Sequence, residues 1–231
     1  MGTSTFGKLK QESTSDRIYA AIREAIFSGR LKTGQRLTEI QMAKEFEVSR
    51  ASLREALQRL SHEGLIELNS YKGARVIELT PEQLDEMLAL RLLLEAEAVR
   101  QAKRRLTQTD RDVLYAIARK LHNPGVNPRA YPTFDFELHQ TIWEISGNRT
   151  LQRHLSLLVS PLFAMGTILR YSESSRDRSD STRDAGVDHI SLVEAICDGT
   201  EERAIELMQR HILDNWKVTR SRIESFMKQG S

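Results

Sequence analysis

Hydrophobic positions fall at helical spacing along most of the chain, and only one short stretch reads as a pair of strands. Ile18, Ala21, Ile22, Ala25 and Ile26 make the i, i+3, i+4, i+7, i+8 stripe of an amphipathic helix over residues 15–28, with Gly29 as a left-handed stop. After Leu31-Lys32-Thr33-Gly34, Thr38 and Gln41 read as a capping box that opens a short second helix with Met42, Ala43 and Phe46 on its apolar face. Glu47 and Val48 make a tight connection. Ser49 then caps a third helix, whose inward stripe of Leu53, Ala56, Leu57 and Leu60 stops at Gly64. Two strand-like runs, 65–68 and 74–79, flank a glycine-containing turn. Three helices and a hairpin in this order predict a winged helix-turn-helix.

Thr80-Pro81-Glu82-Gln83 combines an N-cap, a first-turn proline and a capping-box partner, so a domain boundary is expected there. Beyond it the pattern predicts only helices, at about 81–105, 108–121, 131–146, 149–170, 184–198 and 200–226, with a polar connection at 171–182. The fold class is therefore mainly α. Residues 1–80 form the winged helix-turn-helix, its first ~10 residues a flexible tail, and residues 81–231 form an all-helical antiparallel bundle. Such bundles often hold a metal or ligand inside.

Composition narrows the class without naming a function. The 231 residues carry 34 Lys+Arg against 32 Asp+Glu, which fits a globular chain and argues against a disordered or collagenous one. Cys197 is the single cysteine and cannot make an intramolecular disulfide. MGTSTFGKLK lacks the apolar core of a signal peptide, and the most apolar run, 157–169, is too short to span a bilayer. A cytoplasmic protein with no membrane partner is expected. Residues 1–80 hold 13 Lys+Arg and 10 Asp+Glu, a net +3, and the rest holds −1. That tilt matters only if the cations gather on one surface.

They have such a surface. Opposite the inward stripe of the third helix lie Arg50, Ser52 and Arg54, with Gln58 and Arg59 further along. The first turn of a recognition helix meets base edges and phosphates, and Arg binds guanine bidentately or clamps a phosphate. Lys72, at the hairpin tip, is placed to enter the neighbouring minor groove or touch phosphate. An isolated Arg-rich face is more often merely solvated, but the ordered set of helices and hairpin favours nucleic acid. The run LTEIQMAKEFEVSRASLREALQRLSHEGLIELNSYKGARV resembles the DNA-binding domain of the GntR family of bacterial transcription regulators. The likeness lies in Val48-Ser49-Arg50, Leu53-Arg54-Glu55-Ala56-Leu57, Glu63-Gly64-Leu65 and Lys72-Gly73. It implies that Ser49, Arg50, Ser52, Arg54 and Gly73 contact double-stranded operator DNA, with Lys72 beside them. The chain departs from the family at Ala51-Ser52, where Thr-Pro is common, at Thr33, where Pro usually precedes Gly34, and at Glu47, which replaces the usual turn glycine.

Three of the six histidines sit on inward stripes: His139 with Asp135, Ile142 and Trp143, His189 with Leu192, Val193 and Ile196, and His211 after Ala204, Leu207 and Met208. A lone inward histidine is more often a satisfied core residue than a ligand. Asp135 is different, because a carboxylate on the same face is costly to bury without a nearby cation. Three imidazoles and one carboxylate would suit a divalent transition metal, if their helices converge. FDFELHQTIWEISGN and DHISLVEAICDGTEERAIELMQRHI resemble the all-helical FCD effector domain of the family's FadR-type branch, in its shorter, six-helix VanR-like form. Leu138 stands where Phe commonly precedes the first histidine. The resemblance implies that Asp135, His139, His189 and His211 hold a divalent metal, zinc first and nickel or manganese next, which helps bind a small organic-acid effector.

Arg91, with Glu95 one turn later, is similar to the family's Arg-x-x-x-Glu and is a candidate for the effector carboxylate, as Arg forks are. An i, i+4 ion pair with Glu95 is the alternative. His62, His122 and His154 match no ligand position. These features together imply a homodimeric transcription regulator, a repressor controlled by an acid bound at the metal, on a roughly palindromic operator. Two rivals stand beside it. In one the metal itself is the signal; in the other the bundle is a metalloenzyme, for which no positioned acid or base shares a face with the four ligands.

Overall fold

The apolar stripes of the first eighty residues close on one another. In the computed structural model, which describes residues 12–69, 73–123, 125, 130–172 and 188–229, a Ser13–Asp16 capping box opens α1 (Thr14–Phe27). The second helix, α2 (Glu39–Glu45), buries none of its residues: Met42 and Ala43 only lean on the core, and Phe46 beyond it is exposed. Thr38 precedes α2 but makes no side-chain capping bond, contrary to the expected box. Its ψ is 119°, against 147° at Ser49 and 158° at Thr80, where the hydroxyls do cap. Leu53, Leu57 and Leu60 of α3 (Arg50–His62) bury against Ile18, Ile22 and Ile26 of α1.

A two-residue strand that the sequence pattern does not predict, β1 (Arg36–Leu37), joins the wing formed by β2 (Ile66–Asn69) and β3 (Gly73–Val76). The sheet is antiparallel in the order β1-β3-β2. Two residues are too few to display an alternation. Gly73 has φ 80°, and a Cβ there would lie 2.8 Å from the Leu37 carbonyl oxygen, so the turn and the approach of β1 both require glycine.

The Thr80–Gln83 capping box opens α4 (Pro81–Arg105) as expected. Five helices follow near their expected bounds: α5 (Gln108–His122), α6 (Tyr131–Ile145), α7 (Arg149–Ser172), α8 (His189–Cys197) and α9 (Glu201–Gln229). The exception is α8, which starts at His189 with Asp188 as its side-chain cap instead of running from 184. Residues 184–187, and most of the polar connection expected at 171–182, lie outside the described residues. Val99 and Ala102 of α4 share one core with Leu114, Leu138, Leu192 and Met208. A second core crosses from the winged head into the bundle, joining Ile22 and Phe27 to Phe136, Trp143 and Leu155. At this seam Gly64 has φ 69°, and a Cβ there would lie 3.0 Å from Pro161 Cγ of α7.

Candidate metal centre and DNA-reading face

Helical spacing places Asp135 and His139 one turn apart on α6, facing His189 on the first turn of α8 and His211 on α9. All four are buried. The Nε2 atoms of His189, His211 and His139 lie 3.1, 3.3 and 3.9 Å from the same atom, Asp135 Oδ1. Asp135, His189 and His211 each offer a ligand atom within 4.8 Å of the others, and His139 stands beside them. Ligand bonds of about 2.0–2.2 Å fit donor atoms this close together. The set is nitrogen and carboxylate oxygen only, which suits zinc, nickel or manganese and not a thiophilic ion.

The surroundings hold the ligands in place. His139 Nδ1 lies 3.0 Å from Glu95 Oε2, and Arg91 Nη2 lies 3.2 Å from His139 Nε2. Arginine only donates, so the network assigns the ring proton to Nδ1 and has the Nε2 lone pair accept from Arg91, a bond that a metal on Nε2 would replace. Imidazole backed by carboxylate is the usual support of a metal-ligating histidine. Glu95 also accepts from Arg91 Nε at 3.1 Å and from Trp143 Nε1 at 2.8 Å. Tyr131 Oη stands 3.5 Å from His189 Nδ1, and Asn215 Nδ2 3.3 Å from His211 Nε2. Beside the cluster is a cavity of ≈ 70 Å³ whose wall includes Arg91, Tyr131, Asp135, Asn215, Trp216 and Thr219. At about 10–15 Å³ per water, that is room for several waters or a small acid. Arg91 makes the i, i+4 pair with Glu95 that stood as the alternative, and it also lines the cavity.

Burial alone would raise the Asp135 carboxyl, but the His211 and His189 rings outweigh it and hold it well below the usual range. Glu95 is likewise held down to about 2, its burial outweighed by His139, Arg91 and the Trp143 N–H. Burial pushes His211 down to about 4 from 6.5. A histidine with a lowered folded pKa contributes stability that is complete above 6.5 and lost as pH falls toward 4. Urea midpoints of chelator-treated protein should therefore drop between pH 7 and 5, with Glu95 adding to the loss below 4.5. A flat profile from pH 7 to 5 would contradict neutral burial of His211.

On the head, Ser49 caps α3 through Ser52 N–H, and the two hydroxyls lie 3.0 Å apart. Arg50 is exposed, with no hydrogen bond or ion pair among the described residues. Arg54 is exposed too, with Nε 2.8 Å from Glu39 Oε2 of α2. Arg59 does not join this face: it bonds Asp16 at 2.5 Å and stacks 4.2 Å over Tyr19, buttressing α1 on α3. Glu47, in the glycine position of the turn, has φ 54°. Lys72 lies outside the described residues. Glu95, Trp143 and Asn215 were not assigned site roles from sequence. Trp143 and Asn215 each fall one turn after a candidate ligand, and that spacing was the available signal.

Against known families, residues 14–76 match the gntR family of bacterial regulatory proteins, and residues 86–214, more than half of the chain, match the FCD domain. The chain is a GntR-family transcription regulator with an FCD domain. Its relatives include the uncharacterized HTH-type transcriptional regulator YdhC of Bacillus subtilis, 29% identical over 167 residues, or 69% of this chain and 72% of that one. The gluconate operon transcriptional repressor of B. subtilis is 42% identical over 87 residues, 38% of this chain and 35% of that one. Among solved structures, E. coli McbR/YncC superimposes with a TM-score of 0.77 at 20% identity over 92% of this chain and 99% of that one, a likeness of fold. These relatives are named as transcription regulators, and the metalloenzyme rival draws no support from them. No helix among the described residues of this regulator is long and apolar enough to cross a membrane.

Proposed function

We propose that this GntR regulator is a cytoplasmic homodimeric repressor whose grip on operator DNA is set by a small organic acid bound at a divalent metal in the FCD bundle. Asp135, His139, His189 and His211 hold the metal, which when bound supplies an electrophilic centre for a carboxylate. Arg91 supplies a second, directional contact to the acid through its guanidinium. The observation that carries this reading is the convergence of three Nε2 atoms on Asp135 Oδ1, with Asp135 and Arg91 both in the wall of one cavity. The head reads DNA through Ser49, Arg50, Ser52 and Arg54, with Lys72 and Gly73 on the wing. Leu90 and Leu93, 53% and 67% exposed on α4, give a second copy an apolar strip to cover.

The test is a thermal-shift screen of metal-analysed protein against small carboxylic and sugar acids, followed by operator retardation with each hit. A ligand that binds only the folded state raises the melting temperature. The reading expects at least one acid to stabilise the metal-loaded protein, to lose that effect after chelation, and to change operator affinity. If zinc by itself changes operator affinity and no acid does, the metal is the signal.

A further inference from the structure

Glu95 is completely buried, yet it belongs to two neighbourhoods at once. Its Oε2 accepts from both His139 Nδ1 and Trp143 Nε1, and its Oε1 accepts from Arg91 Nε. Trp143 meets Phe136 edge-on, with centroids 5.8 Å apart at 85°, and Phe136 lies 5.6 Å from Phe27, the last residue of α1. Two ionic hydrogen bonds and two ring contacts therefore run without a gap from a candidate metal ligand into the DNA-binding head. A core at crystal-like density cannot absorb a displaced indole locally, so movement at one end is passed on.

At the far end, the Arg23 guanidinium lies 4.6 Å over Phe27 and 5.7 Å from Phe136, bridging head and bundle. Its Nε is buried without a hydrogen bond among the described residues, and Glu63 Oε2 stands 3.6 Å away, too far to accept well. A buried donor left just short of its acceptor is an unmet group at the seam between head and bundle.

We propose that Glu95 is a positioning residue that couples the pocket to the head through Trp143, Phe136 and Phe27. The inference rests on the metal-and-acid reading, since it gives that site its route to DNA. When His139 shifts to serve a ligand, Glu95 follows its Nδ1–H, Trp143 follows Glu95, and the Phe136–Phe27 contact resets the head on α7. Coupling of this kind is reciprocal: operator must change metal affinity by the factor by which metal changes operator affinity.

That reciprocity gives a test needing no knowledge of the acid. Zinc affinity is measured by competition with a chromophoric chelator, with and without a saturating duplex selected from random sequence by the wild-type protein. Wild type should show at least about a fivefold difference, the lower end of ordinary coupling. Trp143→Phe keeps the ring and removes the N–H. It should bring the ratio of zinc affinities with and without operator to within about twofold, whatever it does to zinc affinity in the absence of DNA. An unchanged ratio in Trp143→Phe overturns the relay, and so does a wild-type ratio of one. The metal-and-acid reading then still stands or falls by its own screen, whereas failure of the wild type to bind zinc overturns both. Should Trp143→Phe not fold, 19F spectra of wild type grown with 5-fluorotryptophan decide. The chain has two tryptophans, and Trp216→Phe identifies which resonance is Trp143. Zinc and operator must each shift that resonance, and indifference to operator overturns the proposal.

Discussion

Asp135→Ala is expected to leave purified protein without its metal, with zinc affinity lowered on the order of 10³-fold or more. Loss of an outer partner such as Glu95 typically lowers metal affinity about 10–100-fold, and Asp135 is the atom on which the other three candidates converge. Its carboxylate is the only candidate ligand that brings negative charge, so its removal takes both a donor and the charge balance. Stability moves differently. Without metal, the variant no longer buries a carboxylate but leaves the ring nitrogens of His189 and His211 short of an acceptor, at about 1–3 kcal/mol for each unmet group. These effects oppose, so the melting temperature of stripped Asp135→Ala should stay close to that of stripped wild type. The large difference appears only on adding zinc, which should raise wild type and leave the variant where it was. Metal analysis and calorimetry of both proteins, with exposed His62→Ala as a bystander, check this. One equivalent of zinc retained by Asp135→Ala would remove the site from these four residues.

What could be read in the sequence was whatever is local. The Thr80–Gln83 box and Pro81 lie within four residues, and the helix they predict has the observed bounds. The inward turn of His139, His189 and His211 follows from stripe membership alone, because a helical face is set by spacing. What failed was of two kinds. β1 is too short to carry a pattern, and it forms because β3 offers an edge to Arg36 and Leu37. Thr38 has a capping residue's chemistry, but this strand entry sets its backbone.

The second kind is long-range choice of partner. Arg59 lies beside the reading face in the sequence pattern, and it turns toward α1 because Asp16 and Tyr19 stand beside it, 43 and 40 residues earlier in the chain. Glu95 was visible as Arg91's helical neighbour, but nothing local reveals His139 and Trp143, 44 and 48 residues away. Glu47 shows a local rule broken and still obeyed by the fold. The turn keeps its left-handed backbone at φ 54° with a residue that resists it, at about 1–2 kcal/mol, because α2 and α3 on either side determine it.

Arg50→Ala and Arg54→Ala are each expected to weaken operator binding by about 10–100-fold, the range of one lost bidentate base contact, and together to remove detectable retardation. Neither should disturb the fold. Arg50 has no partner to lose among the described residues, and the exposed Arg54–Glu39 pair contributes at most about 1 kcal/mol. The two losses should differ in kind. Removing Arg50 takes away a cation, so a phosphate role would lower the salt slope by about one and weaken all sequences alike, while a base role would relax one operator position. Removing Arg54 also leaves Glu39 unpaired next to the reading face, so part of its loss is new repulsion from phosphate. Glu39→Gln in the Arg54→Ala background separates the two: recovery of most of the affinity makes Arg54 chiefly a screen for Glu39. Little recovery makes it a direct contact. Arg54→Lys would keep the charge without the planar fork, so a bidentate role predicts that it rescues poorly. Operator affinity unchanged in both alanine variants would move the DNA-reading surface off α3.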